Sequence, residues 1–308
     1  MTTPLFLSSG DLIADRRYQW AMDHLTLGDD AGAADILMQA IELAPDFATA
    51  WFAIGAIRDK QGDRVGAIAA FEKARDADPD DYHGARLQLA RLGAGEATPE
   101  MTAVYVRRLF DQHAPRFEHS LLNRLAYSAP QKLFDAVTAA AGGRLRLGSM
   151  LDLGCGTGLA GAAFRGAVER LVGVDVSSGM IEQARAKGLY DRLVVGELVG
   201  FLRSEAEIAA RYHLIVAADV FVYASDLAPI TDAAARVLAP GAFFAFTLET
   251  HTGEGVVLQP TLRYAHGEAH VRAALADAGL RLVGIDGVST RTESGVPVPG
   301  LLVISVPR

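Results

Sequence analysis

The segment Met150-Leu-Asp-Leu-Gly-Cys-Gly-Thr-Gly-Leu159 sets three glycines at alternate positions behind an apolar run that holds a carboxylate. Glycine at Gly154, Gly156 and Gly158 lets a ligand approach the main chain closely, and the helix expected next offers free N–H groups. Gly156-Thr-Gly-Leu-Ala-Gly161 also spells the GxGxxG of loops that cradle a pyrophosphate. Asp152 points the other way. A carboxylate at the strand tip disfavours a diphosphate and suits a ligand with a cationic amine. The next apolar run closes on Leu171-Val-Gly-Val-Asp175, where the Asp175 carboxylate can accept hydrogen bonds from both hydroxyls of a ribose. Met180 is expected to pack on an adenine face, and Glu197, in Gly196-Glu-Leu198, to meet its exocyclic amine. Ala217-Ala-Asp-Val220 brings a further carboxylate, Asp219, to the same edge.

A second set of side chains belongs to the loops expected to overhang that edge: Tyr223, Glu249, His251, Tyr264 and His266, with Phe117, His119 and Tyr127 from helices ahead of the first strand. Tyr223, four residues past Asp219, is expected to orient the substrate, and His266 to serve a hydroxyl as general base. Cys155 reads as a small packed residue inside the glycine loop rather than a nucleophile. His113, Glu118 and His119 do not recur with a ligand set on the strand tips, so no metal is expected.

These residues need a scaffold, and the hydrophobic pattern supplies one. Apolar runs at 149–153, 171–174, 193–195, 214–218 and 242–248 alternate with segments of helix length, the βαβ pattern of a doubly wound parallel sheet. Runs 280–290 and 301–306 are joined by too few residues for a crossover helix, so the last strand is expected to be antiparallel. The first ninety residues repeat: Gly28 and Gly62, Ala33 and Ala67, Leu37 and Phe71, Ala40 and Ala74, Pro45 and Pro79 all share a spacing of 34 residues. Such a period means stacked helical pairs with small residues at close crossings, and a fading third copy from Tyr82 to Leu92 supplies a capping helix. Gly93-Ala-Gly-Glu-Ala-Thr-Pro99 interrupts all periodicity. The expected domains are residues 1–95 (repeats), 96–147 (linker and lid helices) and 148–308 (α/β domain).

The repeats resemble tetratricopeptide repeats. The segment from Met150 onward resembles class I S-adenosylmethionine (SAM)-dependent methyltransferases through DLGCGTG, the acidic end of the second strand, the acid after the third and the antiparallel final strand. With Val106-Arg-Arg-Leu-Phe-Asp-Gln-His-Ala-Pro-Arg-Phe-Glu-His119 and Arg291-Thr-Glu-Ser-Gly-Val-Pro-Val-Pro-Gly300, the whole chain is similar to bacterial methyltransferases carrying such repeats. The resemblance implies a Rossmann-like seven-stranded domain after an all-α repeat domain, with SAM as cofactor. Its contacts would come from Asp152, Gly154, Cys155, Gly156, Gly158, Asp175, Val176, Met180, Glu197, Leu198 and Asp219. It implies methyl transfer to a small-molecule or protein acceptor, with the repeats docking a partner or substrate. The alternative is a catalytically silent SAM-binding scaffold. The Asn-Pro-Pro-aromatic motif of enzymes that methylate nucleic-acid amines is missing after the fourth run, where Asp219-Val-Phe-Val stands.

Composition narrows the rest. With 308 residues, 50% of them hydrophobic, the chain can bury one large or two ordinary cores. The 37 Asp and Glu against 29 Lys and Arg argue against nucleic acid or anionic lipid as the main partner. Residues 1–95 hold 15 of those acids against 9 bases, so a partner of the repeats is expected to be basic or apolar. One cysteine, no basic leader and no long apolar stretch point to the cytosol, away from membranes and secretion.

Overall fold

The computed structural model describes residues 6–308 as two compact units, and their division falls inside one helix. The first runs to Arg108 and includes Pro260–Leu262; the second holds Leu109–Gln259 and Arg263–Arg308.

The first unit is helical: α1 (Leu12–Thr26), α2 (Asp30–Leu43), α3 (Ala48–Lys60), α4 (Arg64–Ala77), α5 (Ala85–Arg91) and the start of α6 (Ala103–His113). Helices α1 and α2 pair, as do α3 and α4, and α5 packs on α4. The 34-residue spacing has a structural meaning. Gly28 and Gly62 take left-handed φ of 82° and 81°, a turn that only glycine makes without strain. The next residue in each copy, Asp29 or Asp63, then caps the following helix by accepting the N–H of Gly32 or Gly66 at 2.9 Å. The paired small and apolar residues, from Ala33 and Ala67 to Ala40 and Ala74, are buried. At Gly55 the two helices of the second pair approach so closely that an added Cβ would sit 2.7 Å from the Phe71 ring.

The second unit continues with α7 (Phe117–Arg124) and α8 (Ala129–Ala140), then β1 (Leu147–Leu153), α9 (Leu159–Phe164), β2 (Val168–Asp175), α10 (Ser178–Ala186), β3 (Arg192–Val195), α11 (Leu198–Glu207), β4 (Tyr212–Ala217), α12 (Ala228–Val237) and β5 (Leu238–His251). After β6 (Val256–Leu258), β7 (Tyr264–Gly267), α13 (Glu268–Asp277) and β8 (Leu280–Val288) come the short β9 (Thr292–Glu293) and β10 (Val296–Pro297), then β11 (Gly300–Pro307). The strand order is β3-β2-β1-β4-β5-β11-β8, parallel through β5, with β11 antiparallel to both its neighbours. Period-two alternation loads both faces. Leu151, Leu153, Val172 and Val174 enter one core, while Met150, Leu171 and Leu214 enter the other.

The expectation of seven strands needs correction: the sheet has nine. Strand β7 pairs with the long end of β5, and β6 pairs with β7. Strands this short, of three and four residues, leave too little alternation to be read from a sequence. Among the described residues no helix is long and apolar enough to cross a membrane.

Candidate active site

Strand β1 lies between β2 and β4, so the connections leaving the carboxyl ends of the strands part there and open a crevice. The glycine loop forms its floor. Gly154, Gly156 and Gly158 all have positive φ (64°, 52° and 90°). A Cβ on Gly154 would lie 2.7 Å from Val220, and one on Gly158 3.0 Å from the Tyr190 ring. On Gly156 it would meet the Phe117 ring at 3.8 Å, an ordinary contact, and this glycine is half-buried. Its N–H donates to Asp175 Oδ2 at 2.9 Å, and the Ser177 N–H donates to Oδ1 at 2.8 Å. With the Val176 N–H also bearing on it, the carboxylate still keeps acceptor capacity for a further donor. Burial pushes the Asp175 carboxyl above the usual carboxylate range, and those N–H bonds hold it back.

Asp152 stands differently from its expected place. The side chain is buried and takes the Tyr190 hydroxyl on Oδ2 at 2.6 Å. Burial raises its carboxyl to about 7, against the pull of the Tyr190 bond. Asp152 thus supports the loop from below and is not a free countercharge in the crevice. The same tyrosine explains the GxGxxG spelling: a Cβ on Gly161 would fall 2.3 Å from the Tyr190 hydroxyl, so this glycine makes room for a side chain. Cys155 is buried, with a thiol raised well above its ordinary value by burial and then by Asp152 and Asp175, as fits a packed neutral residue.

Other expected contacts divide. Val176 is half-buried directly after β2, and Leu198, also half-buried, packs on the core. Met180 is buried without accessible surface, so it offers adenine no face to rest on. Glu197 is exposed and caps α11, accepting Val199 N–H at 2.9 Å and Gly200 N–H at 2.7 Å.

Asp219 also turns inward. Its backbone is left-handed (φ 55°), and its carboxylate accepts Thr247 Oγ1 at 2.7 Å, Thr290 Oγ1 at 2.6 Å and Arg291 Nη1 at 3.2 Å. Arg291 is the centre that sequence reasoning missed. Almost fully buried, it also bonds Glu249 and lies 3.4 Å from Glu293, while Arg263 pairs with both of those acids. Burial disfavours the Arg291 charge, but Asp219 and Glu249 outweigh it and raise the guanidinium further. No local signal marks this cluster. Glu249 and Asp219 lie 42 and 72 residues from Arg291 in the chain.

Tyr223, in a single helical turn after β4, lies beside that cluster, its hydroxyl raised by burial against the pull of Arg263 and Arg291. Its ring meets Phe110 edge-on at 5.1 Å, and Phe110 meets Phe117 at 5.8 Å. An aromatic string thus runs from Tyr223 to the space above Gly156. Two carboxylates hold these helices to the glycine-loop side: Asp111 accepts Ser177 Oγ at 2.6 Å and Gly179 N–H at 3.1 Å, and Glu118 pairs with Lys187. Tyr127 donates to Ala218 O at 3.3 Å.

His266 does not reach the crevice. It sits in β7 with no exposure, its Nε2 3.2 Å from Phe221 O and its ring stacked on His270. Burial lowers it to about 4. A base needs to touch the proton it removes, so the expected role is withdrawn. His119 is exposed and Tyr264 buried, while His213, near the start of β4, faces Ser149 at 3.0 Å.

Comparison with known proteins agrees with this geometry. Residues 151–244 match the family described as methyltransferase domain. Human methyltransferase-like protein 27 is 38% identical over 105 residues, which cover 34% of this chain and 42% of that protein. The chain thus spans about two fifths of the length of this curated relative. The [4+2]-cyclase SpnF shares the fold, with a TM-score of 0.55 at 16% identity over 68% of this chain and 97% of that one. An S-adenosylmethionine-dependent methyltransferase from Clostridium acetobutylicum gives 0.49 at 18% identity over 63% and 98%. The matched segment lies within the second unit, and the cofactor expected of a methyltransferase domain is S-adenosylmethionine. The residues present fit that cofactor: Gly156 keeps part of its surface exposed, and Asp175 retains acceptor capacity for a ribose.

Proposed function

We propose that this chain transfers a methyl group from SAM to a small-molecule or protein acceptor, and that its N-terminal helices are tetratricopeptide-type repeats that dock a partner or the substrate. The observation that carries the first part is the Asp175 carboxylate, held by Gly156 and Ser177 at the edge of a loop whose central glycine keeps part of its surface exposed. When bound, SAM supplies an activated methyl carbon, so no covalent intermediate on the protein is needed. The chain's own work is holding, orienting and excluding water. Asp175 would hold the ribose, the main chain from Gly154 to Gly158 would line the methionine end, and the Phe110–Phe117–Tyr223 string would shield the reacting face.

On the acceptor side the Tyr223 hydroxyl, next to the Arg291 cluster, is the group we assign to orienting the acceptor. A neutral His266 without exposure leaves that task to Tyr223 and the acceptor's own lone pair. The docking reading is supported by the helix pairs and the excess of acids in residues 1–95. The single buried thiol suits a reducing compartment, and we place the protein in the cytosol.

The test is an unbiased screen of metabolite fractions and peptide arrays with methyl-labelled SAM, run beside Asp175→Ala. Label transferred by the wild type and lost in the variant supports the proposal. SAM binding without transfer to any acceptor class would favour the silent scaffold.

A further inference from the structure

The first unit already holds a peptide: its own. Residues Phe6 and Leu7 lie over the start of α3, and three successive main-chain groups are read by side chains. Tyr82 Oη donates to Phe6 O at 3.3 Å. Thr49 Oγ1 accepts the Leu7 N–H and donates to Leu7 O, both at 2.9 Å, with His83 Nε2 3.1 Å from the same hydroxyl. One proton and two lone pairs fill that set if His83 donates. The Phe6 ring lies 5.3 Å from Tyr18 and 6.2 Å from Phe47, edge-on to the latter. Further along, the Ser9 N–H donates to Asp15 at 2.8 Å.

Two properties separate this arrangement from ordinary core packing. Phe6 and Leu7 remain 36% and 41% exposed, so the segment lies at the surface of its seat. Beside it opens a mostly apolar cavity of about 340 Å³ lined by Tyr18, Met22, Leu25, Phe52 and Ile57, with the Asp30–Lys60 ion pair also on its wall. The seated residues do not belong to that lining, so a longer or differently spaced peptide has room for another apolar side chain.

We infer that this groove is a docking site for an extended peptide of a partner, with an aromatic–aliphatic pair and a basic flank, and that Phe6–Leu7 is its built-in competitor. Main-chain reading by Thr49 and Tyr82 gives affinity without regard to sequence, the Tyr18–Phe47 seat selects an aromatic ring, and the acid excess of residues 1–95 favours the basic flank. Because the groove is free only while its own segment is out, apparent affinity falls by the fraction of time it is open. The inference deepens the docking part of the proposed function and is independent of methyl transfer.

The experiment uses the full chain and a fluorescein-labelled Phe-Leu-Ser-Ser-Lys-Lys peptide, read by anisotropy. Phe6→Ala should bind the probe at least 10-fold more tightly than the wild type, and adding Thr49→Val should remove that gain while helical circular dichroism is unchanged. Saturating peptide should also speed hydrogen exchange at the Leu7 and Ser9 amides of the wild type, a readout that does not depend on how the variants fold. Equal affinity in wild type and Phe6→Ala, or unaltered exchange at both amides, would overturn the inference. So would a concentration-dependent dimer dispersed by the peptide, which would make a second copy the occupant. SAM titration of the same preparations is expected to be unaffected, so failure here is told apart from failure of the methyltransferase reading.

Discussion

Replacing Asp152 by Asn should change how stability depends on pH. In the folded chain burial holds this carboxyl at about 7, while the unfolded chain returns it to about 3.8. Between those values the folded state keeps a proton that the unfolded state has released, so raising the pH favours unfolding by about 1.4 kcal/mol per unit. Asp152 therefore costs little below pH 4, and its penalty grows to pH 7 and then levels off. From pH 5 to 8, linkage of this one group with those two values gives about 2 to 3 kcal/mol. Asparagine imitates the protonated acid, because its Oδ1 still accepts the Tyr190 hydroxyl, and it cannot ionise. Urea unfolding followed by circular dichroism at pH 5, 6, 7 and 8 should show Asp152→Asn gaining about 2 to 3 kcal/mol on the wild type across that range, whatever constant offset the amide brings. Trp20 and Trp51 both belong to the first unit, so their fluorescence serves as the internal control and should not separate the proteins. Parallel stability–pH curves would refute the buried acid and its tyrosine strut.

Arg291→Met would leave Asp219 and Glu249 buried without their shared cation and should destabilise the second unit by about 3 to 5 kcal/mol in the same urea assay, part of it recovered by adding Asp219→Asn. Tyr223→Phe keeps the ring against Phe110 and removes only the hydroxyl; turnover should fall about 10-fold or more with SAM affinity unchanged, whereas a lower melting temperature with intact turnover per folded molecule would make it a packing residue. Gly161→Ala drives a methyl into the Tyr190 hydroxyl and should cost about 1 to 3 kcal/mol; a neutral result would mean the tyrosine moves aside freely.

What could be read from the sequence was local and periodic. The 34-residue spacing, the glycine loop and the apolar runs of the sheet each repeat or cluster within a few residues, so the helix pairs and the parallel strands around Asp175 were legible. The direction of a charged side chain was not. Asp152 has the placement of a strand-tip acid, and what turns it inward is Tyr190, 38 residues on. Asp219 is drawn away from the crevice by Thr290 and Arg291, 71 and 72 residues away. His266 looked like the start of a helix, but pairing of β7 with β5 buries it one residue short of that helix's cap. The aromatic seat of Phe6 escaped notice because segments without alternation carry no signature.

The central claim is that Asp175 holds the ribose of SAM. Isothermal titration of SAM into the wild type and into Asp175→Ala tests it directly. Loss of two charge-assisted hydrogen bonds should cost about 2 to 4 kcal/mol, weakening binding roughly 30- to 1000-fold, while NAD gives no heat with either protein. Equal SAM affinity in the two proteins, or saturable binding of NAD to the wild type, would contradict it.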